Sequence, residues 1–215
     1  MKKRSKRKFL AALGFLAAFL LWTAAVSLAD VQAIGPEGSS VGFAGLNSVI
    51  HNLTGVHMTL YTITDWLGLV PICFAVWFAF LGLVQWIKRK NLFHVDRSIL
   101  ILGGFYAVVM AAYLFFERYV VNYRPVLIDG VLEASYPSST TMLVLTVMPT
   151  AVMQFNTRIE NRAHRRTAAF VMTVFTVFMV ICRLVSGVHW FTDIIGGALL
   201  SAGLVMMYDS LCGTA

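Results

Sequence analysis

The stretch Lys88-Arg89-Lys90-Asn91-Leu92-Phe93-His94-Val95-Asp96-Arg97 decides the fold. It sets four basic residues between two apolar runs, 66–87 and 99–116. Each run is long enough for a helix that crosses the hydrocarbon core, which takes about 20 apolar residues. A soluble domain usually carries about 25% charged residues. This chain of 215 residues carries 13%, with 59% hydrophobic residues and a mean hydropathy of +0.77. The composition therefore reads as an integral membrane protein.

Working outward, the same pattern repeats. Seventeen residues are Lys or Arg. Fourteen of them form three clusters: Lys2, Lys3, Arg4, Lys6, Arg7 and Lys8; Lys88, Arg89, Lys90 and Arg97; Arg158, Arg162, Arg165 and Arg166. The basic excess, net charge +7, sits at the ends of apolar segments, so the positive-inside rule accounts for it and a nucleic-acid partner is not needed. The spacing predicts an all-α fold, a single domain over 1–215 built as a six-transmembrane-helix bundle. The helices are expected at 9–28, 66–87, 99–116, 140–155, 167–183 and 193–208. Segment 35–58 carries apolar residues at a rough helical period, interspersed with Asn and His, and reads as an interfacial amphipathic helix.

The clusters also fix an orientation. Residues 88–97 and 156–166 are expected inside, and 35–58, 118–138 and 186–192 outside. Both termini are then cytoplasmic, as in a multi-pass protein of the cell membrane. The apolar run of the first helix, about 20 residues, exceeds the roughly 7–15 of a signal peptide, so a retained helix is expected. Cys73, Cys182 and Cys212 are odd in number and form no CxxC, which argues against a disulfide framework or a zinc site. No metal or other cofactor is expected, and the oligomeric state is not legible.

Only Arg118, Arg124 and Arg183 lie outside the basic clusters, and all three fall toward the outer side. Charged side chains near membrane depth are costly and tend to be functional. His189 and Asp193 are four apart, which puts them on one face of a helix that starts nearby. An Asp one turn from a His can hold one ring nitrogen and leave the other as a nucleophile; a structural His–Asp pair has the same spacing. Arginine grips phosphate oxygens in a bidentate way, though one arginine at an interface is equally a snorkelling side chain. Pro137-Ser138-Ser139-Thr140 opens the fourth expected helix. Ser and Thr there cap it, and the free N–H groups of a helix start also bind anions.

These blocks resemble the three signatures of the type-2 phosphatidic acid phosphatase superfamily, the membrane lipid phosphate phosphatases. Arg118 through Arg124-Pro125 resembles its first block, a Lys, a short spacer and Arg-Pro. Pro137-Ser138-Ser139-Thr140 resembles the second, Pro-Ser-Gly-His. Cys182-Arg183, His189 and Asp193 match the third, Ser-Arg, five residues, His, three residues, Asp. The resemblance implies an outward-facing site in which His189 attacks phosphorus and forms a phosphohistidine, Asp193 orients the ring, and Arg118, Arg124, Arg183 and the N–H groups near Ser138 and Ser139 hold the phosphoryl oxygens.

There are departures. Glu117 occupies the usual Lys spacing, so Arg118 serves with a spacer one residue shorter. Cys182 replaces Ser. Thr140 replaces the histidine that in the family protonates the leaving group, and threonine is no acid near neutral pH. A lipid monophosphate expels an alkoxide and needs that proton; a lipid diphosphate expels a stable phosphate monoester anion. The expected substrate is therefore a lipid (poly)phosphate in the bilayer, a polyprenyl or other lipid diphosphate. Glu117, Asp129 and Glu133 are alternative proton donors. A catalytically impaired pseudophosphatase that binds or helps move lipid phosphates is the competing reading.

Overall fold

The computed structural model describes residues 3–213. Lys2 of the first basic cluster and the ends of the expected domain, residues 1–2 and 214–215, lie outside the described residues, as do the side chains of Lys3 and Arg4. The described chain is all-α, with eight α-helices: α1 (Lys3–Leu28), α2 (Ala44–Thr54), α3 (Met58–Leu67), α4 (Leu69–Arg89), α5 (Arg97–Arg118), α6 (Ser139–Arg158), α7 (Arg162–Val185) and α8 (Phe191–Cys212).

α8 is the centre of the bundle. Over its apolar span 56% of residues are buried, against 17–22% for the four other spans of similar character. α1 packs along it. Ser5 Oγ donates to the Ser210 carbonyl at 2.8 Å, Lys8 pairs with Asp209, and Trp22 Nε1 donates to the Thr192 carbonyl at 3.1 Å. Lipid tails are as apolar as leucine, so association here rests on packing and interhelical hydrogen bonds rather than on escape from water. The packed interior includes Phe19, Phe78, Leu102, Phe105, Met148 and Met179.

Among the described residues, five helical segments are long and apolar enough to cross a membrane: Ser5–Leu28, Met58–Arg89, Arg97–Arg118, Arg162–Val185 and Phe191–Cys212. The count of six expected from sequence is not reached on that measure, because α6 is the exception. It is 20 residues long, but Thr141, Thr146, Thr150 and Gln154 on it are buried against neighbouring helices. The threonine hydroxyls at 146 and 150 return to carbonyls one turn back, which satisfies them without a partner helix. A helix enclosed by protein need not show the hydropathy of one facing lipid.

Two boundaries differ from expectation. The helix expected over 66–87 starts at Leu69 and is preceded by α3, which meets it at Gly68. The polar start of that segment, Met58 to Asp65, is helical and turns toward the site end. The interfacial helix expected over 35–58 is shorter, with α2 covering Ala44–Thr54. Before α2 the chain makes a 3₁₀ turn at Pro36–Gly38 and an antiparallel bridge from Gln32 to Val41. Gly55, at φ +67, ends α2.

The chain passes the bundle so that all three basic clusters gather at one end. Asp96 joins Arg89 and Arg158 there at 3.0 Å each. The start of α3, the ends of α5 and α7 and the starts of α6 and α8 meet at the other, where His57 N–H donates to the Ser186 carbonyl at 2.9 Å.

Candidate active site

The segment between α5 and α6 is a hairpin, and its pairing builds half the site. Ile128 and Val131 exchange backbone hydrogen bonds across Asp129-Gly130, both at positive φ. Asp-Gly is the residue pair that a type I′ turn favours. The pairing continues inward: Arg124 N–H donates to the Glu133 carbonyl at 3.0 Å and Ser135 N–H to the Asn122 carbonyl at 2.9 Å. Asn122, Arg124, Glu133 and Ser135 are thereby fixed side by side.

The other half comes from the turn between α7 and α8. Gly187 has φ +67, and a Cβ there would fall 1.9 Å from the Gly55 carbonyl oxygen, so only glycine lets this turn close against the chain after α2. Asp193 then caps α8. Its Oδ2 accepts from the Trp190 backbone N–H at 2.9 Å in a capping box. Gly196, one turn on, lets Tyr136 lie flat on α8; a Cβ would meet the phenol ring at 2.6 Å.

His189 and Asp193 are brought together, but not directly. Nδ1 and Oδ2 are 3.9 Å apart. Ser135 Oγ lies between them, 3.0 Å from His189 Nδ1 and 2.5 Å from Asp193 Oδ2. A carboxylate only accepts, so the Ser135 hydroxyl donates to Asp193 and its oxygen accepts from His189 Nδ1–H. That assignment leaves the lone pair on Nε2. Asn122 Nδ2 donates to Asp193 Oδ1 at 3.3 Å, so the buried carboxylate is well supplied with donors. A second ring of amides holds this set: Asn47 Nδ2 donates to Thr192 Oγ1 at 3.0 Å and Gly42 N–H to Asn122 Oδ1 at 3.2 Å.

His189 is 3% exposed. Burial first, then the charges of Arg124 and Arg183, hold its imidazole well below the ordinary range, against an opposing hydrogen bond from Ser135. The ring is therefore neutral at neutral pH, as a nucleophile must be.

The free ring nitrogen faces arginine. Arg124 Nη1 is 3.4 Å from His189 Nε2, and Arg124 Nε is 2.9 Å from Glu133 Oε2, off line for a hydrogen bond. Arg183 is 1% exposed and is placed by α3: Nη1 donates to Thr64 Oγ1 at 3.0 Å, Nη2 lies 3.7 Å from Asp65 Oδ1, and the guanidinium stands 4.8 Å over the Tyr61 ring. Arg124 stands over the same ring at 5.8 Å. Two arginines held near one aromatic face and one neutral histidine form a cationic recess, with His189 Nε2 accepting from Arg124 Nη1.

Four of the residues expected from sequence sit differently. Ser138 is the N-cap of α6, its side chain accepting from Thr141 N–H at 3.4 Å, and its own N–H donates to the Asp193 carbonyl at 3.1 Å. That N–H is committed to the fold rather than open to a phosphate. Ser139 is half-buried and lines a small recess together with Ser135 and Glu117. Arg118 is exposed at the end of α5 and makes no hydrogen bond or ion pair among the described residues. Thr140 is half-buried and lines an apolar cavity with residues of α4 and α5.

Ser135, Asn122, Tyr61 and Thr64 were not expected, and Glu133 was expected only as an alternative proton donor rather than as the partner of Arg124. The Asp129-Gly130 pair was the one local signal that could have placed Ser135 beside Arg124. Nothing local marks Tyr61 or Thr64, because their role depends on α3 packing against α7. Among the described residues no three His, Cys, Asp or Glu side chains cluster as metal ligands.

Comparison with known proteins bears on the fold and on the sequence segment that carries these residues. Residues 112–209 match the sequence profile of the PAP2 superfamily. That range holds Arg118, Arg124, Ser135, Arg183, His189 and Asp193. Curated protein sequences give no match. Among solved structures, a transmembrane PAP2-type phosphatidylglycerolphosphate phosphatase from Bacillus subtilis superposes with a TM-score of 0.65 at 17% identity, over 94% of this chain and 96% of that one. The chain has the fold of a multi-pass membrane phosphatase of this type.

Proposed function

Because residues 112–209 match the PAP2 superfamily profile, we propose that the protein is a membrane lipid phosphatase that acts on a lipid diphosphate through a phosphohistidine. The observation that carries this is the pinned histidine: Nδ1 is tied through Ser135 to Asp193, and Nε2 faces Arg124. In the first step the Nε2 lone pair attacks the terminal phosphorus. The bond from phosphorus to the bridging oxygen breaks, and a lipid monophosphate leaves as an anion. Phosphorylated His189 carries a positive ring, which the Ser135–Asp193 relay stabilises. Water then attacks phosphorus, the P–N bond breaks, and inorganic phosphate departs with Nε2 restored. Arg124 and Arg183 are the donors aimed at the charge that develops on the phosphoryl oxygens.

Thr140 supports the preference for diphosphate. It points to no proton donor at the leaving-group position, and a general acid contributes on the order of 10²–10⁴-fold. Of the three carboxyl groups that could replace it, Glu133 lies against Arg124 and Glu117 lines the recess next to Ser135, while Asp129 is at the exposed hairpin tip. The Bacillus subtilis phosphatase is named for a lipid monophosphate, but at 17% identity its head group does not carry over to this chain, and Thr140 is the support for a diphosphate. The orientation proposed is the one the basic end favours, with that end cytoplasmic and the site extracytoplasmic.

A binding-only pseudophosphatase is favoured by the position of Arg118, away from the recess. The intact histidine relay opposes it, because a binder has no need of a fixed tautomer. Phosphate release from matched lipid mono- and diphosphates separates these readings. The diphosphate is expected to turn over far faster. Equal rates on both would remove the diphosphate preference, and no release from either would leave the binder.

A further inference from the structure

Water that attacks a phosphorylated His189 must give up a proton, and the residues nearest the ring are already engaged. Nε2 carries the phosphoryl group, and Nδ1–H is bonded to Ser135. The Ser135 hydroxyl donates to Asp193, which also accepts from Asn122, so that carboxylate is occupied behind the ring. Thr140 lines an apolar cavity with residues of α4 and α5. Its hydroxyl is no base near neutral pH.

The carboxylates around the site differ in what they face. Glu117 lines the recess beside Ser135, which meets the ring at Nδ1 rather than at Nε2. Asp65 Oδ1 is 3.7 Å from Arg183 Nη2, on a side chain that is 62% exposed. Glu133 is closer to the chemistry. Its Oε2 is 2.9 Å from Arg124 Nε, and the same guanidinium presents Nη1 to His189 Nε2 at 3.4 Å. One guanidinium therefore separates this carboxylate from the nucleophile. The hairpin fixes its backbone, because Arg124 N–H donates to the Glu133 carbonyl at 3.0 Å. A phosphoryl group that takes Arg124 competes with Glu133 for it and leaves the carboxylate at the phosphoryl edge. The Glu133 side chain is 42% exposed, so water reaches it. Paired with an arginine, it is in the form that accepts a proton.

We propose that Glu133 is the general base of the hydrolytic step. It takes a proton from the attacking water as the new P–O bond forms. The P–N bond breaks, its electron pair returns to Nε2, and inorganic phosphate leaves. The proton on Glu133 then passes to solvent through the exposed side of the carboxyl group. The proposal rests on the reading of His189 as the residue that carries the phosphoryl group. It assigns Glu133 to the second step only, since the first step, with a phosphate monoester as leaving group, needs no base: the nucleophile is already a neutral ring with a free lone pair.

Glu133→Gln tests it, because the substitution keeps the backbone pairing of the hairpin and an oxygen facing Arg124 but cannot hold the proton. The full chain in lipid vesicles is mixed with a lipid diphosphate radiolabelled at the terminal phosphorus and quenched in alkali, where phosphohistidine survives. In Glu133→Gln the first turnover should run at the natural rate and labelled protein should build up. Steady phosphate release should fall about 10²-fold, the low end of what a general base contributes, and recover as pH rises and hydroxide replaces the base. Glu133→Asp, with the carboxylate on a shorter stem, should fall between the two. If Glu133 only pins Arg124, Glu133→Gln slows the first turnover and raises KM with no build-up of labelled protein, which would overturn the proposal. Labelled protein of equal lifetime with and without the Glu133 carboxylate would also overturn it and leave the phosphohistidine standing. Phosphate release with no labelled protein in either form would remove the phosphohistidine, and the role of Glu133 with it.

Discussion

The two ends of the bundle both hold buried or half-buried charge, and they treat it in opposite ways. At the basic end Asp96 is fully served. Gln85 Nε2 donates to it at 2.9 Å, Arg89 and Arg158 each at 3.0 Å, and its own N–H donates to Gln85 Oε1 at 2.9 Å. Arg158 also reaches Gln154, whose amide donates to Tyr208 at 2.5 Å. At the site end the buried anion is fully met, while the two arginines, paired with Glu133 and Thr64, are met only in part. Asp193 has its donors, but Arg124 Nε and Arg183 Nε are buried with no hydrogen-bond acceptor in the protein. A satisfied network rigidifies a fold. Unmet donors facing a neutral histidine invite an anion. The difference teaches which polar cluster is architecture and which is chemistry.

The comparison breaks most visibly at Asp193. In Asp193→Asn the amide can present an N–H to Ser135, so the serine hydroxyl turns to donate to Nδ1 and the ring proton moves to Nε2. The nucleophilic lone pair is lost, and phosphate release should fall by about 10⁴-fold, the scale of a histidine held in the wrong tautomer. Ser135→Ala should cost less, about 10- to 100-fold in kcat with KM little changed, the loss of one hydrogen bond to a charged group. Ser135→Thr, which keeps the hydroxyl, should recover much of it. A Ser135→Ala protein with natural kcat would show that His189 and Asp193 need no relay. Arg183→Lys should raise KM by about 10-fold, because a point charge cannot reproduce the fork that Tyr61 and Thr64 position.

The smallest effect on activity belongs to the other end. Asp96→Asn should leave phosphate release unchanged and lower thermal stability in detergent by about 1 kcal/mol, the scale of a partly exposed ion-pair network. Burial pushes the Asp96 carboxyl up, but Gln85, Arg158 and Arg89 outweigh it, so the group is held below its ordinary value. Its stabilisation is then full above about pH 4 and lost as pH falls through the lowered folded value. A loss of activity in Asp96→Asn would blur the distinction between the two ends.

The helices and the basic end were legible in the sequence because both follow from one-dimensional patterns, apolar run length and charge position. The His189–Asp193 spacing was legible for the same reason, since both sit within one turn of a helix start. What escaped was everything set by folding back. Ser135 reaches the relay through a hairpin closed by Asp129-Gly130, and Tyr61 and Thr64 reach Arg183 because α3 packs against α7. Ser138 was read as an anion-binding N–H, yet that group is consumed by the Asp193 carbonyl, a contact between two helix starts that no local pattern announces. α6 escaped the hydropathy of a span because its polar side chains are enclosed by other helices.

The measurement that bears most directly on the account is phosphate release from a lipid diphosphate by His189→Ala beside the natural protein, with folding checked by thermal unfolding. The account predicts release at background in His189→Ala, and an acid-labile phosphoryl group on the natural protein that the variant cannot carry. A folded His189→Ala protein that releases phosphate at the natural rate would contradict it.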